Sequence, residues 1–340
     1  MGSSSNAGVS GPFGPGELAR WITRAGITLF GVTLATFVLL QMIPGDPARV
    51  RLASPDALRV SPEAYRAMRH EMGLDRPVPL QYFSWVGGVL LGDLGTSLAD
   101  GRPVTERIAE RLPASVLLNA LALAMVFAVA VPFGTLLARR RGSPLDRGSR
   151  HALFLLFALP SFWIAVLLQA ALAVHLGWLP MHGMRSTGIE SAGPFLRALD
   201  LGRHLVLPVL CLAYGQIAFL TRFTRANVLE SLGQDFVRTA RAKGLPEGTV
   251  LRRHAFRTAL LPLLTLSGLT LPALVGGSIL IETIFSWPGL GSLFFDSVSR
   301  RDYPLVMALM LLTAVLTLAG NLTADLLYRV ADPRAARAAP

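Results

Sequence analysis

Hydrophobic positions in this chain fall into six long runs, Ala25–Ile43, Leu112–Ala138, Ala152–Trp178, Leu205–Thr221, Thr258–Ile281 and Tyr303–Ala324, separated by polar stretches of which the first, 44–111, is a long mixed-charge segment. None of the runs contains Asp, Glu, Lys or Arg, and His175 lies near the end of the third. About 20 apolar residues in a helix cross the hydrocarbon core of a bilayer, so the pattern predicts an all-α integral membrane protein with six transmembrane helices. Val78–Leu91 is also uncharged, but its 14 residues are too few to span. It reads as an interfacial or packed helix. The first run is long for a signal peptide and no small-x-small cleavage site follows it, so it reads as an uncleaved helix.

The polar stretches carry their own signals. Residues 1–16 are rich in Gly, Ser and Pro and are expected to be disordered. Asn6 stands where a myristoylation motif requires Ser or Thr. The first run closes on Ile43-Pro44-Gly45-Asp46-Pro47, a rigid turn. Ser61-Pro62-Glu63 is a helix start and Gly73 a helix stop. Pro132, Pro160, Pro208, Pro262 and Pro272 fall inside predicted spans. Proline frees backbone carbonyls and bends helices, which suits a bundle that rocks, although membrane helices also tolerate proline without consequence.

Charge orients the bundle. Six spans put both termini on one side. That side, with the loops 139–151 and 222–257, carries 18 Lys and Arg against 7 acids, while the opposite side is balanced. The whole net charge of +11 therefore lies on one face, which the positive-inside rule makes cytoplasmic. The basic balance needs no nucleic acid. Only 16% of residues are charged and the mean hydropathy is +0.51. The single cysteine, Cys211, lies in an apolar run and excludes an internal disulfide or a cysteine metal cluster. The single lysine, Lys243, precedes Gly244 instead of following a glycine, so no phosphate-binding loop of the Gly-Lys-Ser/Thr type exists. His70, His151, His175, His182, His204 and His254 are scattered without ligand spacing, and no nucleophile–base–acid set is evident. The chain thus reads as a non-catalytic transporter subunit with no metal or cofactor of its own. An ion-coupled secondary carrier is the alternative from another class, but such carriers keep ionisable groups within the bilayer.

The most informative polar stretch is 234–262, a short helix, a break and a second helix. Asp235 is the expected N-cap. Val237, Ala240 and Gly244 recur at helical spacing as a small face, edged by Arg238, Arg241 and Lys243. Gly244 ends the helix and Pro246 begins the next. A small, basic-edged helix suits insertion into a groove on another protein, so bulk at Ala240 or Gly244 is expected to uncouple it. The pattern alone is met equally by a solvated basic loop.

Arg238-Thr239-Ala240-Arg241-Ala242-Lys243-Gly244, followed by Arg252-Arg253-His254 and Leu261-Pro262, resembles the cytoplasmic coupling loop of binding-protein-dependent ABC importer permeases of the dipeptide/oligopeptide/nickel branch. Arg238 and Thr239 stand where the wider family has Glu and Ala, and Leu261-Pro262 comes late; both departures resemble the peptide branch. Ile43–Pro47, Leu91–Ser97, Leu159–Trp163 and Phe285–Gly291 resemble that branch in order and spacing, so the likeness runs from about residue 20 to 330.

The resemblance implies a type I ABC importer permease fold with six transmembrane helices and both termini cytoplasmic, in a prokaryotic plasma (inner) membrane. It divides the chain into a tail (1–19), a first helix with a large extracytoplasmic segment (20–104), a permease core (105–330) with the coupling loop 222–257, and a second tail (331–340). It implies one half of a pathway for short peptides, or for nickel or another small solute. A second homologous permease, two cytoplasmic ATPase subunits that hold ATP and Mg, and an extracytoplasmic binding protein would complete the importer. Asp235, Arg238, Thr239, Ala240, Arg241, Lys243, Gly244, Arg253 and His254 would form the ATPase-coupling element. Phe285, Trp287, Pro288, Gly289 and Gly291 would meet the binding protein.

Overall fold

A computed structural model describes residues 15–52, 61–270 and 279–331. Most of the two expected tails and Pro272 lie outside the described residues. Among those residues there is no strand, only an isolated bridge between Thr96 and Pro103. The long helices are α1 (Pro15–Met42), α5 (Val104–Arg139), α8 (Pro194–Leu232) and α14 (Tyr303–Ala331). Each contains a stretch long and apolar enough to cross a membrane.

The central pair is α5 and α8, which cross closely at Gly134. A Cβ there would sit 2.6 Å from the Thr221 carbonyl oxygen and 2.7 Å from the Thr224 Cβ. Small residues let membrane helices approach this closely, since lipid gives no hydrophobic drive to associate. Val126, Ala130, Ala213, Leu220 and Leu263 fill the seam. Pro132 and Pro208 lie inside these two helices without ending them.

The third apolar run is not one straight helix. It is α6 (Pro144–Ala158) and α7 (Ser161–Leu168), the latter continued by a π-helical segment (Gln169–His175), with a bend of 94° between them. Leu159 is extended, with ψ 132°, as expected for a residue before proline. Pro160 offers no N–H to the Leu156 carbonyl, and the Tyr214 hydroxyl on α8 donates to the Leu159 carbonyl at 2.5 Å. The fifth run begins in α11 (Phe256–Thr270), and residues 271–278 lie outside the described residues. By length and composition the described residues hold four helices able to cross a membrane and one bent pair able to do so together, and the fifth apolar run is described only in part.

The segment after α1 folds around Asp46. Its carboxylate accepts from the Ala48 N–H at 2.8 Å and the Tyr65 hydroxyl at 2.6 Å, and it pairs with Arg69. These contacts join the turn 43–47 to α2 (Pro47–Leu52) and α3 (Pro62–Glu71). Ser61 caps α3 by accepting from the Ala64 N–H at 3.1 Å, and Gly73 follows in a left-handed conformation. The expected packed helix is α4 (Val78–Leu90), whose Tyr82 is buried with Phe37, Leu40, Val306 and Met307 from α1 and α14.

Candidate functional site

The predicted coupling loop, 222–257, is helical up to Leu232 as the end of α8, so only the part from Gly233 onward leaves that helix. α9 (Asp235–Ala242) follows, then α10 (Glu247–Thr249) and a π-helical turn (Val250–Ala255) that runs into α11. The N-cap of α9 is Gln234, which is extended (φ −75°, ψ 153°); Asp235 is the first helical residue. The expected Asp235 cap is therefore displaced by one position. Its exposed carboxylate instead lies 3.4 Å from Arg238 and favours the positive end of the helix. Gly244 closes the helix at φ +76°, its N–H reaching the Arg241 carbonyl at 2.9 Å.

The small face points inward. Val237 and Ala240 are buried against Val250, Ala255 and Leu232 of the same chain. They let the loop fold back on itself, which corrects the expectation that Ala240 meets a partner. Gly244 is exposed. The outward face carries Phe236, Thr239 and Lys243 at helical spacing, flanked by Arg238. Phe236 is 42% exposed on an otherwise polar surface. The sequence reading missed it because it weighed small and basic residues; the signal was a phenyl ring set in a polar stretch. Arg241 is committed within the loop, donating to Glu247 at 2.6 and 3.2 Å. Those bonds hold the Glu247 carboxyl below the usual carboxylate range. Arg253 is exposed and His254 half-buried on the π-helical turn, and neither has an ion-pair partner among the described residues.

The second predicted site, 285–291, joins α12 (Ile279–Ile284) to α13 (Leu290–Ser299) and is mostly interior. Trp287 is fully buried, with its indole N–H donating to the Ala114 carbonyl of α5 at 2.9 Å. Glu282 is fully buried as well; it accepts from the Ser115 hydroxyl at 3.0 Å and the Ser292 N–H at 2.9 Å. Ser115 in turn accepts from the Leu290 N–H at 2.7 Å. A Cβ at Gly289 would overlap the Glu282 carboxylate and the Ser115 hydroxyl, and one at Gly291 would lie 2.9 Å from the same carboxylate. Phe285, Trp287, Gly289 and Gly291 therefore pin α12 and α13 onto α5 and α7 and are not available to a docking protein. Only Pro288 of that set is part-exposed, beside the exposed Ser286 (φ 49°). Glu282 and Ser115 were missed because they are 167 positions apart.

Among the described residues no three His, Cys, Asp or Glu side chains converge. The geometry offers a helix, α9, that presents side chains, a buried knot at 282–292 that fixes α12 and α13 against α5, and a bent pair, α6 and α7.

The sequence matches the family described as "Binding-protein-dependent transport system inner membrane component" over residues 130–337. Its N-terminal companion, "Binding-prot-dependent transport system membrane comp, N-term", matches residues 17–119. The oligopeptide transport system permease protein AppB of Bacillus subtilis is 42% identical over 311 residues, 90% of this chain and 94% of that protein. The dipeptide transport system permease protein DppB of Escherichia coli K12 is 39% identical over 323 residues, 90% of this chain and 94% of that protein. The di/tripeptide transport system permease protein DppB of Pseudomonas aeruginosa has the same identity and coverage. The family covers more than half of the sequence, and its relatives match nearly all of it. The chain belongs to the inner membrane components of binding-protein-dependent transport systems and is a multi-pass inner-membrane permease subunit.

Proposed function

We propose that this permease forms one half of a pathway for short peptides, beside a second homologous permease. Two cytoplasmic ATPase subunits hold ATP and Mg and drive it, and an extracytoplasmic binding protein delivers the peptide. The chain itself performs no catalysis and carries no cofactor. Six spans leave both termini in the cytoplasm, and the loop 222–257 faces the ATPases.

The observation that carries the coupling role is the outward face of α9, where Phe236 stands exposed among Thr239, Lys243 and Arg238 at the end of the 39-residue helix α8. A ring exposed on a polar helix loses water on entering a cleft and acts as an anchor, and a helix of that length carries its displacement into the bundle. Peptide as substrate rests on the relatives' oligopeptide, dipeptide and di/tripeptide names.

The test is uptake in a strain that expresses the system but lacks this gene, using labelled di- and oligopeptides and labelled nickel. Loss of peptide uptake, restored by the wild-type gene, is the expected result. Loss of nickel uptake alone would move the substrate to the metal, and no change in either would remove both. A proton- or sodium-coupled carrier would keep transporting after ATP depletion with the ion gradient clamped; the importer stops.

A further inference from the structure

The cytoplasmic ends of α6 and α8 enclose a cleft that neither the coupling surface nor the knot uses. It has a volume of about 510 Å³ and is lined by Arg141, Gly142, Asp146, Arg150, Arg225 and Glu230, with Leu229. Asp146 is buried and accepts from Arg225 at 2.7 and 2.9 Å and from the Gly142 N–H at 2.9 Å. That bidentate pair neutralises Arg225 and fixes the floor of the cleft. Arg141 and Arg150 are exposed at its edge, and neither has a carboxylate partner among the described residues. Arg139, Arg140, Arg147 and Arg222 lie within a few positions of the lining residues in sequence, and Glu230 is the one acid on the rim.

The cleft continues into an aromatic track. Arg150, Phe154 and Phe157 follow one another along one face of α6 at helical spacing. Phe154 and Phe157 are 62% and 54% exposed. Across from them on α8, the Phe219 ring lies 6.3 Å from Phe157 and stacks on Phe223 at 6.0 Å. Exposed guanidinium groups with no carboxylate ion-pair partner, Arg150 bonded only to the Asp146 carbonyl at 3.4 Å, followed by exposed rings along the same helix face, suit an anionic head joined to a hydrocarbon tail. The membrane supplies it in the leaflet where these arginines lie, since basic pockets between helices on the cytoplasmic side take acidic headgroups.

We propose that this cleft is a binding site for an anionic phospholipid. Arg141 and Arg150 hold its phosphate, and one acyl chain lies along Phe154, Phe157 and Phe219. The Asp146–Arg225 pair positions α6 against α8 and does not itself bind the lipid. The proposal does not depend on the identity of the transported solute.

The test uses the complete importer purified in mild detergent, with retained phosphatidylglycerol counted by mass spectrometry. We expect wild type to retain phosphatidylglycerol over added phosphatidylcholine. An Arg141→Gln/Arg150→Gln double variant should retain roughly tenfold less or lower. Arg197→Gln, at the other end of α8, should match wild type. Both substituted arginines are exposed, and an unchanged elution profile with all subunits present reports an intact complex. Equal retention by the double variant overturns the proposal. So does loss of the ATPase subunits in place of lipid, which would make the cleft a protein contact. Glycerol phosphate displacing the lipid at micromolar concentration would show a soluble-phosphate site and also overturn it.

Discussion

The loop after α8 and the knot at 282–292 were both expected to meet partner proteins, yet they expose opposite things. In the loop, the small residues Val237 and Ala240 are interior, and Phe236, Thr239 and Lys243 face out. In the knot, the large aromatic residues are interior, and Ser286 and Pro288 reach the surface. A recurring string of residues therefore does not say which atoms meet a partner. Glycines beside a buried carboxylate mark close approach within the chain, as at Gly289 against Glu282. A lone ring on a charged helix marks approach from outside.

The largest expected effect breaks the knot. Trp287→Ala removes a fully buried ring and the bond to the Ala114 carbonyl, a loss of about 3–5 kcal/mol. Thermal unfolding of the purified subunit should show it, with little folded protein recovered. Gly289→Ala should act in the same direction through overlap with Glu282 and Ser115.

Next in size is Ala240→Trp, which must displace Val250 and Ala255. It should unfold the loop and expose it to protease, whereas Phe236→Ala should leave protease resistance unchanged and abolish coupled transport. Equal protease sensitivity of the two would erase the distinction between the buried and exposed faces.

A third prediction concerns pH at the outer segment. Burial acts to raise the Asp46 carboxyl, but the hydrogen bonds from Tyr65 and Ala48 and the charge of Arg69 outweigh it, and the group ends below its ordinary 3.8. A depressed carboxylate stabilises the fold above its ordinary value and loses that contribution as pH falls through the lower one. Protection factors in α2 and α3, taken relative to the base-catalysed intrinsic exchange rate at each pH, should thus be flat from neutral pH to about 5 and fall only in strong acid. Asp46→Asn should raise exchange already at neutral pH.

The smallest effect is Arg241→Gln. The pair with Glu247 is exposed, with side chains 43% and 60% accessible, and pairs of this kind contribute at most about 1 kcal/mol. Transport should fall modestly, and added salt should mimic the change in wild type.

Much of the scaffold was legible because lipid imposes a simple rule. The runs in α1, α5, α8 and α14 could be read from apolar length alone, and the Ser61 cap and the Gly244 stop from residue types that favour helix ends. Helix ends were less legible, since α5 starts at Val104 among charged residues and α8 at Pro194 within an expected loop. A helix continues wherever its backbone bonds are met, apolar or not. The effect of each proline was hidden for the same reason. Pro132 and Pro208 sit in the tightly packed α5–α8 pair and leave it unbroken, whereas at Pro160 the Tyr214 hydroxyl offers the Leu159 carbonyl another partner and the chain turns. The inward turn of Ala240, the burial of Trp287 and the Ser115–Glu282 contact all depend on distant neighbours that no local pattern records.

The measurement that bears most directly on the account is crosslinking of the assembled importer in a Cys211→Ser background. Single cysteines would be placed at Phe236, Thr239 or Lys243 on the outward face of α9, and at Pro288 beside the knot. The account predicts that a short thiol-reactive crosslinker joins the three α9 positions, and not position 288, to an ATPase subunit, and that ATP turnover changes the yield. Absence of any α9 crosslink in an importer that still transports would contradict it.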